Sequence, residues 1–220
     1  MNYHSFSLLQ SPEIQHAKQQ LMTSPDWIDG TSSAKGHAKQ LKRNLQLSNN
    51  SNVYTDLSNR ISERLMNNIS VMDRFIFPKQ IINILFSRTS TGMYYGNHVD
   101  AAHTQAGRRD YSFTLFLNDP SEYEGGELIV NIPPERKSIK LEAGMIFIYP
   151  TKYLHEVKEV TQGERLVCVG WIESFLKYDS EREFLSYIKT AMICTQSGEK
   201  EKSLLSLNLA FQGLKKYFGD

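Results

Sequence analysis

Two histidines and an aspartate stand at positions that predict a metal site. His98 and Asp100 are separated by one residue, so in an extended strand both side chains point to the same face of a sheet. A strand that brings His155 beside them completes the set of two imidazoles and one carboxylate found in non-haem Fe(II) oxygenases. Such a set leaves three open positions on an octahedral ion. Zinc lies above Fe(II) in the general affinity order, so the ligand types alone do not select the metal.

An arginine ten positions after His155 predicts how the same site would bind a second molecule. The planar fork of Arg165 can form two parallel charge-assisted hydrogen bonds with one carboxylate. A 2-oxo acid bound to the metal through two oxygens, together with dioxygen, would fill the open positions. The residues therefore predict an iron-dependent oxygenase with an anionic cosubstrate. Spacing alone also fits a solvated pair at His98-Val99-Asp100 and a surface arginine after a turn at Gly163.

Short strands separated by turn residues are the elements that must position this site. The candidate strands are Gln80–Ser87, Met93–Asp100, Tyr111–Leu117, Glu127–Ile132, Ser138–Leu141, Met145–Tyr149, His155–Val160 and Arg165–Ile172. Connections this short leave no room for crossover helices, which argues against a parallel sheet. The predicted fold class is mainly β with flanking helices, a double-stranded β-helix (jelly roll) of the cupin kind. Asp100, His155 and Arg165 would then lie at strand ends around one mouth of the barrel.

Helices are predicted on both sides of the β region. Ser11-Pro12-Glu13 is a typical helix start, and a capping box from Ser180 to Glu183 predicts a helix to about Cys194. Two further amphipathic helices are indicated by Val53, Leu57, Ile61, Leu65 and Ile69, and by Leu204, Leu207, Phe211, Leu214 and Phe218. The polar segment 30–52 predicts a loop or weak strand with room to cover the site. The C-terminal helices are expected to cover the barrel or to form a dimer contact.

These elements divide the chain into three parts. Residues 1–74 are predicted to be a helical and loop region packed on the barrel. Residues 75–176 form the jelly-roll core, and residues 177–220 form a C-terminal helical extension.

Composition limits the classes of partner that are expected. The formal net charge is +1, with 40% hydrophobic and 22% charged residues, which predicts a globular chain and no electrostatically driven nucleic-acid binding. No apolar run approaches the roughly 20 residues needed to cross a membrane, and the first residues lack the pattern of a signal peptide. Cys168 and Cys194 suggest neither a zinc knuckle nor a disulfide framework. A cytoplasmic location is therefore expected.

Several other residues near the predicted site carry weaker signals. His103 lies on a polar loop and is expected to be solvated. Glu124-Gly125-Gly126-Glu127 predicts a turn or bulge, because glycine permits a positive φ. Thr114 shares one strand face with Ser112, so it is a candidate to bond the cosubstrate if that face lines the barrel. Trp171 is expected in the core.

Several linked motifs resemble those of a known family over roughly residues 75–220. They are Asn97-His98-Val99-Asp100, Asp110-Tyr111-Ser112-Phe113-Thr114-Leu115-Phe116-Leu117-Asn118-Asp119-Pro120, Tyr123-Glu124-Gly125-Gly126-Glu127-Leu128, Tyr149-Pro150, His155, Gly163-Glu164-Arg165 and Gly170-Trp171-Ile172. The set is similar to that of the PKHD-type hydroxylases, bacterial members of the prolyl-hydroxylase-like group of Fe(II)/2-oxoglutarate dioxygenases. The resemblance implies a double-stranded β-helix with His98, Asp100 and His155 as iron ligands. It also implies that Arg165 binds the distal carboxylate of 2-oxoglutarate.

The resemblance further implies the reaction and its requirements. An unidentified substrate, either a small molecule or a protein side chain, would be hydroxylated at the expense of O2 and 2-oxoglutarate, with release of succinate and CO2. Ascorbate is implied as the reductant. Related prolyl hydroxylases support 2-oxoglutarate with tyrosines where this chain aligns Arg88 and Phe116, so those roles are not transferred. The alternatives are a cupin-like metal-dependent hydrolase or isomerase and a non-catalytic jelly-roll binding module.

Overall fold

The computed structural model describes residues 3–33, 36–68 and 72–218. Its strands are β1 His4–Ser7, β2 Trp27–Asp29, β3 Lys42–Arg43, β4 Leu45–Leu47, β5 Pro78–Ser90, β6 Tyr94–His98, β7 His103–Thr104, β8 Gly107–Arg108, β9 Tyr111–Phe116, β10 Tyr123–Gly125, β11 Leu128–Ile132, β12 Glu135–Ile139, β13 Met145–Pro150, β14 His155–Val157 and β15 Val160–Ser174. Its α-helices are α1 Ser11–Thr23, α2 His37–Gln40, α3 Asn52–Met66, α4 Asp179–Gln196 and α5 Lys200–Phe218.

Two antiparallel sheets form the core of the fold, as the jelly-roll prediction requires. The larger sheet has the order β1-β13-β9-β15-β5-β4-β2, with β10 paired to the start of β15. The smaller sheet has the order β12-β11-β14-β6-β3, and β7 and β8 form a separate hairpin. A cluster of apolar side chains from both sheets fills the space between them, including Phe116, Val130, Phe147 and Val167. The interior between the two sheets is therefore partly filled by apolar side chains and partly left as a cavity.

Strand β15 shows how the sequence divides its side chains between the two faces of the larger sheet. Leu166, Cys168 and Ile172 belong to the core on the outer face, which also contains Leu21 of α1 and Leu57, Ile61 and Leu65 of α3. Arg165, Val167, Val169 and Trp171 alternate with them and line a cavity on the inner face. The helices thus cover one face and leave the other to the functional site.

The N-terminal third contains strands β1 and β2, which the sequence did not predict, and strands β3 and β4 within segment 30–52, which was predicted to be a loop or weak strand. β1 extends the larger sheet next to β13, and β2 and β4 extend its other edge beside β5. β3 adds to the smaller sheet by pairing with β6. Strands of two to four residues are too short to show an alternating pattern, and only their pairing partners define them. The predicted helices α1 and α3 are present, while Ile69 lies outside the described residues.

Two predicted boundaries are wrong in ways that matter for the site. Arg165 does not begin its strand: β15 starts at Val160, and Gly163, with φ 77°, lies within it opposite Tyr123 of β10. The predicted turn is therefore a continuing strand. Asp100 lies two residues beyond the end of β6, and its side chain extends from a loop.

The C-terminal extension is a pair of packed helices. α4 begins at Asp179, and the carboxylate of Glu181 accepts a bond from the Tyr178 backbone N–H at 3.0 Å. The predicted capping box from Ser180 to Glu183 is therefore wrong by two residues. α5 packs its small residues Ser203, Ser206 and Ala210 inward. Among the described helices, none is long and apolar enough to cross a membrane.

Candidate metal centre

The strand register brings the three predicted metal ligands together. His155 of β14 is the cross-strand partner of His98 of β6. The loop after β6 then returns Asp100, whose Oδ1 lies 3.7 Å from His98 Nε2 and whose Oδ2 lies 3.7 Å from His155 Nε2. One ligand atom from each residue falls within 4.8 Å of the others, close enough to hold one metal ion.

Each imidazole is held so that one nitrogen faces the centre. His98 Nδ1 lies 2.8 Å from the Gly96 carbonyl, and His155 Nδ1 lies 2.9 Å from the Tyr153 carbonyl. A carbonyl only accepts, so the proton is on Nδ1 and the lone pair of Nε2 is free for a metal. Burial lowers the pKa of His98 to about 4, which keeps this ring neutral at pH 7. Neutral imidazoles are the form that metals bind.

The carboxylate of Asp100 is fixed by two donors on the larger sheet. Trp171 Nε1 and Ser112 Oγ donate to its Oδ2 at 2.8 and 2.9 Å. Burial raises the pKa of Asp100, but the adjacent imidazoles and these two bonds outweigh that effect and hold it below its ordinary value. Within the described residues Oδ1 accepts no hydrogen bond, so an ionised oxygen is left for a metal. Two imidazoles and a fixed carboxylate fit Fe(II).

Aromatic rings support both histidines. The Tyr95 ring stacks on His98 with centroids 3.6 Å apart, and Tyr149 meets the edge of His155 at 5.4 Å. Burial raises the pKa of Tyr149 well above its ordinary value, so its hydroxyl stays neutral. These contacts limit ring rotation and hold the metal-facing nitrogens in place.

Arg165 is a buried cation on the same inner face. It is 2% exposed, and its guanidinium lies 5.6 Å from the centroid of the Phe116 ring. Burial lowers its pKa from the ordinary value, but arginine remains charged in proteins. Arg165 Nε and the nearby Tyr123 hydroxyl have no hydrogen-bond partner among the described residues. A buried charge without an anion is costly, so this position fits the carboxylate of a bound molecule.

A glycine pair shapes the space around Arg165. Gly125 and Gly126 have φ values of 70° and 68°, and the pairing of β10 with β15 shifts register at Gly125. A Cβ on Gly126 would lie 3.1 Å from Arg165 Cδ and 2.9 Å from a methyl of Val160. The predicted bulge is confirmed, and it allows the chain to pass close to the arginine.

One cavity of about 840 Å³ connects Arg165 with the three predicted metal ligands. Thr114 and Ser112 line it, which confirms the predicted inward face of β9. His103 is exposed and lies at its rim, apart from the three ligands. Segment 30–52 also lines the cavity, through Ser33, Lys42, Asn44, Gln46 and Asn49. The polar segment therefore forms part of its wall.

The structure separates the two positions at which related enzymes have tyrosines. Phe116 is next to Arg165, whereas Arg88 bonds Glu164 at 2.5 Å and stacks on Trp27, outside the residues that line the cavity. The sequence did not identify Tyr95 or Tyr123 as site residues. Their only signal was proximity in sequence to His98 and to the glycine pair. Trp171 is largely buried as predicted, and its bond to Asp100 is an additional role.

Comparison with known proteins identifies the family. Residues 84–173 match the model of the 2OG-Fe(II) oxygenase superfamily. A PKHD-type hydroxylase from Prochlorococcus marinus strain MIT 9211 is 45% identical over 159 residues, 72% of each chain. A second, from strain MIT 9301, is 41% identical over 187 residues, 84% of each chain. The chain belongs to the PKHD-type hydroxylase family.

Membership of the PKHD-type hydroxylases establishes the reaction class. The protein is an oxidoreductase, a 2-oxoglutarate-dependent dioxygenase for which Fe(II) and 2-oxoglutarate are implied. This relationship favours the oxygenase over the hydrolase, isomerase and binding module that the sequence left open. The predicted family and the predicted enzyme activity are confirmed.

Solved structures with low sequence identity share the fold. A prolyl-4-hydroxylase from Pseudomonas putida aligns with a TM-score of 0.57 at 14% identity, covering 79% of this chain and 92% of the other. HygX from Streptomyces hygroscopicus, solved with nickel and 2-oxoglutarate, has a TM-score of 0.57 at 14% identity, with 81% and 85% covered. A Trichoplax adhaerens prolyl hydroxylase bound to a peptide has a TM-score of 0.58 at 14% identity, with 82% and 85% covered. The jelly-roll prediction is confirmed.

Proposed function

We propose that His98, Asp100 and His155 are the ligands of Fe(II) and that Arg165 binds the distal carboxylate of 2-oxoglutarate. The observation that carries this proposal is the buried guanidinium of Arg165, whose Nε has no hydrogen-bond partner among the described residues, in the cavity that holds the three ligands. When bound, Fe(II) would allow O2 to oxidise 2-oxoglutarate and the substrate together, with one oxygen atom going to succinate and the other to the hydroxylated substrate as CO2 is released. Residues 75–176 form the catalytic core in this proposal, residues 177–220 form the helical extension, and residues 1–74 complete the cavity wall.

The residues of the chain orient and protect the reactants. The Gly96 and Tyr153 carbonyls keep both imidazoles in the tautomer that binds metal, and Trp171 and Ser112 fix Asp100. The planar guanidinium of Arg165 binds the carboxylate at one end of 2-oxoglutarate. The two parallel hydrogen bonds limit the rotation of the cosubstrate. The apolar side chains Val167 and Val169 exclude water between these groups.

Metal binding and succinate formation test the assignment of the ligands. Asp100→Ala should weaken Fe(II) binding under anaerobic conditions and abolish iron-dependent succinate formation from 2-oxoglutarate. Asp56→Ala, which removes an exposed carboxylate on α3, is the matched control and should change neither. Retained metal affinity and turnover in Asp100→Ala would overturn the proposal.

We propose ascorbate as the reductant that restores oxidised iron. This is supported by the relationship to PKHD-type hydroxylases. Ascorbate should increase the number of turnovers per enzyme without changing the first turnover. An ascorbate effect on the first turnover instead would indicate a different role.

The substrate is proposed to be a small molecule or a protein side chain. Proteins of this fold bind substrates as different as hygromycin B in HygX and a peptide in the Trichoplax enzyme. The fold therefore does not select proline, because specificity depends on the residues around the site. Neither nucleic acid nor membrane is proposed as a partner, and a cytoplasmic location is supported by the two free, buried cysteines.

We also propose that the chain forms a homodimer through α4 and α5. These helices expose eight apolar side chains by 41–77%, namely Met192, Ile193, Leu204, Leu205, Leu207, Leu209, Phe211 and Phe218. Leu204, Leu207, Phe211 and Phe218 of this set share one face of α5, and a second copy of the chain would cover this apolar stripe. Sedimentation equilibrium should show a dimer for the wild type and a monomer for Phe211→Glu. A monomeric wild type contradicts the proposal.

A further inference from the structure

Two cations that take no part in the scheme above flank the metal-binding side chains. Lys42 Nζ lies 5.0 Å from the centroid of the Tyr95 ring, which stacks on His98. Arg109 lies on the opposite wall, with its guanidinium 3.6 Å from the centroid of the Trp171 ring. Trp171 in turn donates to Asp100. Each cation is therefore one aromatic ring away from a proposed metal ligand.

Neither cation has an anionic partner in the cavity. Lys42 donates to Ser33 Oγ at 2.7 Å, and Arg109 reaches Asn83 Oδ1 at 3.4 Å while its Nε is buried without a partner. Among the described residues lining the cavity, Asp100 is the only acidic one, and its ion-pair contacts are with the two histidines. Burial lowers the pKa of Lys42 to about 8, so the amine is still mostly charged near neutral pH.

The bound reactants do not neutralise these charges. Given the proposed function, Fe(II) and Arg165 together cancel the charges of Asp100 and the two carboxylates of 2-oxoglutarate. The exposed Asp29, outside the cavity lining, also attracts Lys42. Among the described residues that line the cavity, however, no negative charge is left for Lys42 and Arg109, and electrostatic attraction is strong between low-dielectric walls. An additional anion is the group that such a cavity would bind.

The backbone around Arg109 is built to present polar atoms to the cavity. Between Val169 and Trp171 of β15 the pairing with β5 shifts register, and Asn83 opposite this shift has φ 48°. A bulge of this kind redirects a side chain, and here the Asn83 amide lines the cavity and accepts from Arg109. Asn44, Gln46 and Asn49 add further amides on the Lys42 side.

We infer that the substrate carries an anionic group, a carboxylate or a phosphate, and that Lys42 and Arg109 bind it beside the metal centre. This inference rests on the proposed function of the same cavity. Arg109 supplies a planar fork for two oxygens, and Lys42 supplies a compact charge from the other side. Binding of the anionic group at these two residues would place the carbon that is hydroxylated at a fixed distance from the metal site.

Sulfate is a suitable probe because it is an oxyanion that stays fully ionised and soluble with divalent metals. The protein is loaded with stoichiometric Zn(II) and saturating 2-oxoglutarate, and sulfate is titrated against chloride at constant ionic strength. Trp171, in contact with Arg109, reports binding by its fluorescence in a Trp27→Phe background, which removes the second of the two tryptophans. The sulfate-dependent melting temperature gives an independent measure.

Substitution of each cation should weaken sulfate binding. Lys42→Gln and Arg109→Gln are expected to raise its dissociation constant about tenfold each, because each loses charge-assisted hydrogen bonds. Arg43→Gln with Lys137→Gln is the matched control, since both cations also lie over tyrosine rings, at 5.5 and 5.2 Å, but do not line the cavity. Metal affinity should be unchanged or tighter, because a positive charge near the ion is removed, whereas a structural defect would weaken it.

The outcomes separate this inference from the proposed function. Saturable sulfate binding that is lost in the two cavity variants and kept in the control supports the anion site. No sulfate binding to the wild type, or equal binding by all variants, overturns it. Calorimetric titration of Zn(II) and 2-oxoglutarate into the same protein checks the underlying site, so failure there identifies the proposed function as the faulty part.

Discussion

The two ends of the cavity differ in their exposure to solvent. The closed end, around Arg165, Tyr123 and Phe116, is buried, and Arg165 Nε and the Tyr123 hydroxyl have no hydrogen-bond partner among the described residues. The open end, around Lys42 and Arg109, lies near exposed residues such as His103. The proposed metal ligands lie beside the open end, where Trp171 donates to Asp100 and the Tyr95 ring stacks on His98.

This difference indicates two kinds of binding in one cavity. A single buried cation suits a cosubstrate of fixed length that is the same in every turnover. Two cations near an opening suit a substrate that enters and leaves. Variants that affect one end should therefore leave the other end unchanged, and the predictions below proceed from the largest expected effect to the smallest.

Removal of the charge at the closed end should have the largest effect on the cosubstrate. Arg165→Gln loses two charge-assisted hydrogen bonds of roughly 1.5–3 kcal/mol each, so the dissociation constant of 2-oxoglutarate should rise a hundredfold or more. Anaerobic calorimetry with Mn(II)-loaded protein measures this. Mn(II) affinity should remain within about twofold; joint loss of both ligands would show that the two sites are not separable.

Removal of an orienting bond to Asp100 should affect the metal instead. Trp171→Phe keeps an aromatic ring, although a smaller one, and deletes the N–H that donates to Asp100 Oδ2 at 2.8 Å. Partners of metal ligands typically contribute about 10–100-fold in affinity, so Fe(II) binding should weaken by at least about tenfold. Trp27→Phe, on an edge strand away from the ligands, is the control. Equal effects of the two substitutions would mean that loss of packing, and not the bond, is measured.

A methyl group added at the closed end should also weaken 2-oxoglutarate binding, but by less than Arg165→Gln does. Gly126→Ala places a Cβ 3.1 Å from Arg165 Cδ at a residue with φ 68°. The strain is on the order of 1–2 kcal/mol, which corresponds to about a tenfold rise in the dissociation constant of 2-oxoglutarate if the arginine shifts. Gly92→Ala, also at positive φ but in open space, controls for backbone strain. Unchanged 2-oxoglutarate binding in Gly126→Ala would show that the bulge does not position Arg165.

A buried histidine outside the cavity should change stability with pH and leave both ends unaffected. Burial lowers the pKa of His4 to about 4, against 6.5 in the unfolded chain, so the unfolded state binds the proton first. Its contribution is complete above pH 6.5 and is lost as the pH falls towards 4, at most about 3 kcal/mol. Urea unfolding at several pH values should show a flatter profile for His4→Gln. An identical profile would contradict the assignment.

The sequence predicted the chemistry of the site better than its shape. The residue types and spacing of His98, Asp100, His155 and Arg165 led to the predicted site, and the structure places all four around one cavity. The pairing of β3 and β4, which brings Lys42 to the cavity, was not predicted because two or three residues carry no measurable period. The position of Arg109 over Trp171 depends on the β7–β8 hairpin and on a register shift in β15. Both are tertiary features that local sequence does not encode.

Prediction also failed where a residue type has two common uses. Gly163 suggested a turn, but its positive φ is accommodated within β15 because β10 pairs with it there. The stripe of Leu204, Leu207 and Phe211 suggested a face packed on the barrel or on a partner. The structure leaves it exposed while smaller residues pack against α4, so packing on the barrel is wrong and contact with a partner stays a prediction.

An anaerobic crystal structure of the protein with Mn(II) and 2-oxoglutarate tests the central claim most directly. The account predicts a metal ion bound to His98 Nε2, Asp100 and His155 Nε2, with the far carboxylate of 2-oxoglutarate on Arg165. A metal ion held by other residues, or a 2-oxoglutarate that leaves Arg165 unpaired, would contradict it.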